Sequence, residues 1–310
     1  MPTPKNHTTP SGIQITFDPD QHLYSDSRGL TYDSITRVVK SLFLPFNLAA
    51  ISARVAARDG ISPADVQRAW AAKSIAACRM GTRVHAVAEA ALLNQDPIQA
   101  LRDCEPQASR GQPSANQQPA NSQPGDDGVA EPESDRERAA MDAAFRAATE
   151  IREQSEFVAP EQIVADPKSL TAGTMDCFAM RRDGAAVILD WKTNERIEVT
   201  NKFGGRALPP YNHLYDCNLV HYSLQLHLYR WIMLRAGYMA ATGGDVVDLA
   251  IAWLAPGRSD AQWITVIDLS SEADQIMRGR RAHAEQVRDW ARRCEQAEAD
   301  ARIPAEMVDK

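Results

Sequence analysis

The sequence predicts an α/β (α+β) protein, with a central mixed β-sheet flanked by helices and a largely helical part ahead of it. Three observations carry this. The apolar runs 174–180 and 185–189 are joined by Arg181-Arg182-Asp183-Gly184, which reads as a hairpin with glycine in its turn. Helical patterns at about 34–44 and 62–93 come well before that hairpin. After it, strand-like and helix-like stretches interleave, the order that lays helices on a sheet.

Residues 13–24 alternate enough for a short hairpin or edge strand. Ser34-Ile35-Thr36 starts a helix expected to run to about residue 44, where Pro45 stops it. Ser62-Pro63-Ala64-Asp65 puts serine at an N-cap and proline in the first turn, and a helical pattern follows to about residue 93. Gly81 within it marks a break or a close backbone approach. Residues 105–137 are rich in Gln, Pro, Ser, Asn and Gly; they have too little apolar surface to order themselves and read as a disordered low-complexity insertion. A helix is expected at about 135–154, then strands near 157–165, 173–181 and 186–191. A polar loop over 193–218 leads into a helix from 220 to about 236, a strand pair at 245–254 and 262–269, and a long charged helix over 271–301. The chain therefore divides into an N-terminal hairpin and helical region packed on the core (1–80), the core (81–104 and 138–270), the insertion (105–137), and a C-terminal helix and tail (271–310).

Composition excludes several classes. At 310 residues the chain can build one large domain or two small ones, and its 44% hydrophobic and 24% charged content is ordinary for a globular protein. No apolar stretch is long enough to span a membrane, and residues 1–12 are polar, so the reading is a cytoplasmic protein with no membrane partner. The five cysteines (Cys78, Cys104, Cys177, Cys217, Cys294) are scattered without a C-x-x-C pair, which suggests neither a zinc site nor a disulfide framework. No Gly-x-x-x-x-Gly-Lys motif is present, so no ATP-driven motor is expected. The net charge of −7 runs against the basic balance of many DNA-binding proteins, although local patches matter more than the sum.

The chemistry concentrates at Asp190-Trp191-Lys192, at the end of the second hairpin run. Positions i and i+2 of a strand face the same side, so Asp190 and Lys192 point together and Trp191 points into packing. Asp176, on the first run, is brought to the same place by the hairpin. Two carboxylates and an ammonium can hold a hard divalent cation and a scissile phosphate. Lys192 would then position or deprotonate the attacking water, or stabilise the oxyanion. Read alone, Asp190 and Lys192 also fit a strand-end ion pair. Arg79 and Arg83, and Lys202 and Arg206 in the 193–218 loop, are candidate nucleic-acid contacts, with Phe203 or Tyr211 able to stack on a base.

Four elements in order, Gly81-Thr82-Arg83-Val84-His85 with Glu89, Ala172-Gly173-Thr174-Met175-Asp176, Asp190-Trp191-Lys192-Thr193, and Gln225 with Tyr229, resemble the PD-(D/E)XK nuclease superfamily, in particular its RecB-like and phage-type exonucleases. Each element alone is weak; their order over residues 81–230 is more specific. The resemblance implies a restriction-endonuclease-like core. It also implies that His85, Asp176, Asp190 and the backbone carbonyl of Trp191 ligate Mg²⁺ or Mn²⁺, with Glu89 and Glu161 as further candidates, and that Gln225 and Tyr229 act beside the site. An imidazole ligand favours Mn²⁺. His227 lies off the Gln225 face and reads as structural. The four-cysteine pattern of the iron–sulfur RecB-like nucleases is missing, so no cluster is expected.

The expected activity is therefore hydrolysis of DNA phosphodiesters by a divalent-metal-dependent nuclease. By resemblance it is an exonuclease on linear duplex DNA in phage or bacterial recombination or repair, working with a strand-annealing protein or another recombination partner. The same residues also fit a structure-specific endonuclease or a single-strand or RNA-directed nuclease of a defence system. A third alternative is a silent nucleic-acid-binding module, which would have no need of all of Asp176, Asp190 and Lys192.

Overall fold

A computed structural model describes residues 4–104, 134–240 and 247–301. Most of the expected insertion (105–133), two residues of an expected strand (245–246) and the tail from 302 lie outside the described residues.

The chain opens as a meander of four short strands, β1 (Lys5–Thr8), β2 (Gln14–Asp18), β3 (Leu23–Asp26) and β4 (Thr31–Ser34), each antiparallel to the one before. Helix α1 (Ile35–Ser41) follows at once, capped by Ser34, whose hydroxyl accepts from the Arg37 amide. It stops short of the expected residue 44 because the next backbone groups are engaged elsewhere. The Leu208 amide donates to the Leu42 carbonyl at 2.7 Å, and Phe43 bridges Ala207. Helix α2 (Leu48–Asp59), unanticipated in the sequence, runs between an Asn47 cap and Gly60, whose φ of +68° suits glycine. Helix α3 (Pro63–Leu92) passes unbroken through Gly81, which corrects the expected break. A Cβ there would meet Thr193 Oγ1 at 3.6 Å, ordinary contact.

Helix α4 (Pro97–Cys104) precedes the insertion and α5 (Asp135–Gln154) follows it. Ser134 and Glu137 form a reciprocal capping box, so helix begins before the insertion's expected end at 137. The core strands β5 (Ser155–Asp166), β6 (Thr171–Arg181) and β7 (Ala186–Lys192) come next, then α6 (Asn218–Arg235), β8 (Val247–Trp253), β9 (Gln262–Ile264) and α7 (Ser270–Ala301). The β6–β7 hairpin closes through Gly184, at φ +85°. Strand β9 is shorter than the expected 262–269. The Ile267 amide donates to Ser223 Oγ at 3.1 Å, and His227 Nε2 lies 3.0 Å from the Ile267 carbonyl and 3.1 Å from the Leu269 amide. Side chains of α6 thus satisfy backbone that a ladder would otherwise occupy. His227 is structural, as its position predicts.

Among the described residues the nine strands form one mixed sheet in the order β1-β2-β3-β4-β6-β7-β8-β9, with β5 paired to β6. Pairings β4–β6 and β7–β8 are parallel. One face carries α1, α6 and α7 over a core that includes Ile35, Ile188, Leu224 and Met277. The other carries α3 and α5, whose buried Ala88, Ala91, Ala140, Ala144 and Ala148 permit close helix approach beneath Leu189 and Trp191.

Strand β5 pairs with β6 along its whole length, so β4 and β7 share the other edge of β6. β4 pairs only at Thr171 and Ala172, and β7 pairs only from Cys177 onward. Residues 173–176 of β6 are left facing a gap. Tyr229 of α6 enters it and donates its hydroxyl to the Thr174 carbonyl at 2.7 Å. Only glycine leaves room for the ring: a Cβ on Gly173 would lie 2.8 Å from Tyr229 Cε1. Gly173→Ala should therefore lower stability by about 1–3 kcal/mol through overpacking. Urea unfolding would measure this, and an unchanged midpoint and slope would contradict so close an approach.

Candidate metal centre and active site

The gap between β6 and β7 gathers the site. The last paired residues are Cys177 and Leu189; beyond them the strands part. The Trp191 amide, with no ladder partner on β6, donates to Asp176 Oδ2 at 2.8 Å. Trp191 itself is buried against α3 and α5, so Asp190 and Lys192 are turned to the opposite face. There Lys192 Nζ lies 2.5 Å from Asp190 Oδ2, and Gln225 Nε2 donates to Asp190 Oδ1 at 3.3 Å. The Lys192 ammonium also sits 4.7 Å from the centre of the Tyr222 ring, whose hydroxyl donates to Asn194 at 2.6 Å.

From the other face, α3 brings His85 to the same opening. Its Nδ1 is 3.8 Å from Asp176 Oδ1, and its Nε2 is 3.3 Å from the Trp191 carbonyl. From β5 comes Glu161, a non-glycine residue held at φ +50°. Such backbone strain persists only where the surroundings impose it, and it gathers at functional sites. His85, Glu161 and Asp176 each offer a ligand atom within 4.8 Å of the others. Glu89 shares a cleft of about 410 Å³ with His85 and Glu161 but stands outside that group of three.

Electrostatics set the protonation of these groups. Asp190 is 2% exposed, and burial pushes its carboxyl up to about 6 despite the nearby Lys192 ammonium. Burial works against the Lys192 ammonium, but the Asp190 and Asp176 carboxylates outweigh it and raise its pKa. Glu161 is raised by burial and then by the Asp176 charge, with Lys5 opposing. Asp190 Oδ2 is fully buried, and although Lys192 is close it has no aligned hydrogen bond. Clustered carboxylates, one imidazole and a backbone carbonyl make a donor set that suits Mg²⁺ or Mn²⁺, so the residues present fit a divalent cation.

A family model for the PD-(D/E)XK nuclease superfamily matches residues 57–308. The chain belongs to that superfamily. Its mixed sheet flanked by helices is the restriction-endonuclease-like core of PD-(D/E)XK nucleases, which work with divalent metals. A crystal structure at 2.19 Å of a protein from Eubacterium rectale, provisionally named an exonuclease, is similar at 16% identity with a TM-score of 0.26. The likeness covers 47% of this chain and 55% of that one, so the chain spans about half the length of that structure. Comparison with curated proteins finds no match. Among the described residues no helix is long and apolar enough to cross a membrane.

The other expected residues of this PD-(D/E)XK nuclease fall elsewhere. Arg79 and Arg83 reach Glu137 of α5, at 3.6 and 3.7 Å. Lys202 is exposed, and Arg206 lies over the Tyr215 ring while donating to the His213 carbonyl. Tyr211 is 8% exposed, which removes it as a stacking platform, whereas Phe203 is 94% exposed. Sequence reasoning missed Lys5, whose Nζ is 3.5 Å from Glu161, and Tyr24, whose hydroxyl lies 2.8 Å from Thr174 Oγ1. Tyr222, against the Lys192 ammonium, is likewise not among the expected site residues.

Protons compete with a cation for raised carboxyls. Calorimetric Mn²⁺ affinity should therefore fall between about pH 7.5 and about pH 5.5, as Asp190 gains its proton below about 6. Asp190→Asn should weaken binding about tenfold or more at the higher pH. Equal affinity at both pH values in the wild type, or an unaffected variant, would remove Asp190 from the centre.

Proposed function

We propose that the protein is a divalent-metal-dependent deoxyribonuclease that hydrolyses phosphodiesters from the ends of linear duplex DNA, in the manner of the RecB-like and phage-type exonucleases. The observation that carries the reading is the convergence of His85, Glu161 and Asp176 with the Asp190–Lys192 pair at one opening in the sheet. The Gly-x-x-x-His and Gln-x-x-x-Tyr spacings that resemble those exonucleases support the choice of branch. Recombination or repair, with a strand-annealing partner, is the setting that goes with that branch.

In this reading His85, Asp176, Asp190, Glu161 and the Trp191 carbonyl hold Mg²⁺ or Mn²⁺, which would supply Lewis acidity toward the phosphate and lower the pKa of a water. Asp176 is oriented by the Trp191 amide and Asp190 by Gln225. Lys192 keeps its proton, held by two carboxylates, so its part is to place the water and stabilise charge growing on the phosphate oxygens. Tyr229 holds the strand that carries Asp176, by donating to Thr174. Lys202, exposed in the loop after β7, is available to backbone phosphates.

Removing a preorganised charge from such a site costs about 10²–10³-fold in rate. Lys192→Ala should lose that much cleavage of end-labelled linear duplex in Mn²⁺ while binding the duplex nearly as wild type does. Closed circular plasmid should remain intact with both proteins. Nicking of the circle by wild type would replace the exonuclease reading with an endonuclease, and undiminished cleavage by the variant would remove Lys192 from the chemistry.

A further inference from the structure

Residues 48–78, comprising α2 and the first half of α3, form a two-helix arm. Buried Ser52 and Ala56 of α2 pack on α3 near Val66, and Gln67 Nε2 donates to Ser52 Oγ at 2.8 Å. Beyond Trp70, the eight residues 71–78 of α3 are exposed on every side, Ile75 to 70%. A helix with no buried stripe is unusual in a globular protein and commonly bridges solvent between parts. Here four alanines among those eight residues supply helix propensity without a core.

The arm's charge is opposite in sign to that of the whole chain. It carries four Lys or Arg against two Asp, in a protein of net charge −7. Asp59 and Asp65 are neutralised by Arg58 and Arg68. Arg54 and Lys73 carry no ion pair among the described residues. At the root of the arm Phe46, 65% exposed, meets the half-buried Trp70 edge-on, with ring centres 6.0 Å apart. The arm is also continuous with the metal centre. Ile75, Cys78, Thr82, His85 and Glu89 follow at spacings of three and four, so one face of α3 runs from the arm into the cleft beside Glu161.

We propose that the arm grips the nucleic-acid strand leading into the cleft, with Arg54 and Lys73 on backbone phosphates and the Phe46–Trp70 pair against an unpaired base. A positive, aromatic-bearing projection on an acidic protein complements a single-stranded polyanion, whose bases offer stacking faces in any sequence. This inference rests on the nuclease reading above and extends it to how substrate is held.

The test uses the full chain with Arg54→Gln/Lys73→Gln and Phe46→Ala, each checked by circular dichroism and light scattering. Affinity for a labelled single-stranded oligonucleotide is read by fluorescence anisotropy across a salt series. Hydrolysis of a p-nitrophenyl phosphodiester of thymidine, too small to reach the arm, is read in Mn²⁺. The paired variant should bind the oligonucleotide about tenfold more weakly, with a salt slope shallower by about one per lost contact. Phe46→Ala should bind more weakly with an unchanged slope, and both variants should hydrolyse the small diester within about twofold of wild type. Unchanged oligonucleotide affinity in both variants would overturn the proposal. So would a weaker affinity that accompanies a changed oligomeric state, since the face would then join copies of the chain. Failure of wild type to cleave both the small diester and the end-labelled linear duplex would sink the nuclease reading alone, because anisotropy reports on the arm independently.

Discussion

The constraint on which the site depends is the parting of β6 and β7 after the Cys177–Leu189 pair. An antiparallel ladder that continued would spend the Trp191 amide on β6 and close the sheet. Here that amide goes to the Asp176 carboxylate, and Tyr229 satisfies the Thr174 carbonyl across the gap. The cost of interrupting the ladder is offset by these two hydrogen bonds, one of them charge-assisted. Gly173 is part of the same arrangement, because any larger residue would strike the Tyr229 ring.

An opening in a sheet does what an intact sheet cannot: it lets side chains from both faces meet. Asp190, Lys192 and Gln225 belong to the α6 face, while His85 arrives from α3 on the opposite one. Burial then sharpens the electrostatics. At 2% exposure burial favours the protonated form of Asp190 and the Asp176 charge adds to it, while the Lys192 ammonium only partly opposes them, leaving negative charge unbalanced at the site. A divalent cation resolves that imbalance, which is why the residues acquire a common purpose only as a group.

Much of this was legible in the sequence, for physical reasons that differ by element. The β6–β7 hairpin is written locally, in two apolar runs and a glycine turn. The Asp190–Lys192 pairing follows from the two-residue period of a strand. The start of α5 is equally local: the Ser134–Glu137 capping box marks it, and the helix expected at about 135–154 is found at Asp135–Gln154. Helix α2 lies between Asn47 and Gly60, a cap pair that marks it locally, but it buries only Ser52 and Ala56 and so carries no apolar stripe of its own. Other features had no local signal. Lys5 reaches Glu161 only because a four-residue polar strand joins the sheet edge. The end of β9 depends on His227 and Ser223 of another element. The early end of the β6–β7 ladder, with Tyr229 of α6 at the Thr174 carbonyl, joins residues far apart in the chain.

The most direct test of this account is a crystal structure with Mn²⁺ soaked in, read by the anomalous signal of the metal. The account predicts a peak within about 2.0–2.6 Å of oxygen atoms of Asp176 and Asp190, the range of hard-cation bonds to carboxylates. It also predicts contact with His85 or the Trp191 carbonyl. A peak elsewhere, or none at saturating Mn²⁺ in a crystal whose β6 and β7 still part after Leu189, would contradict it.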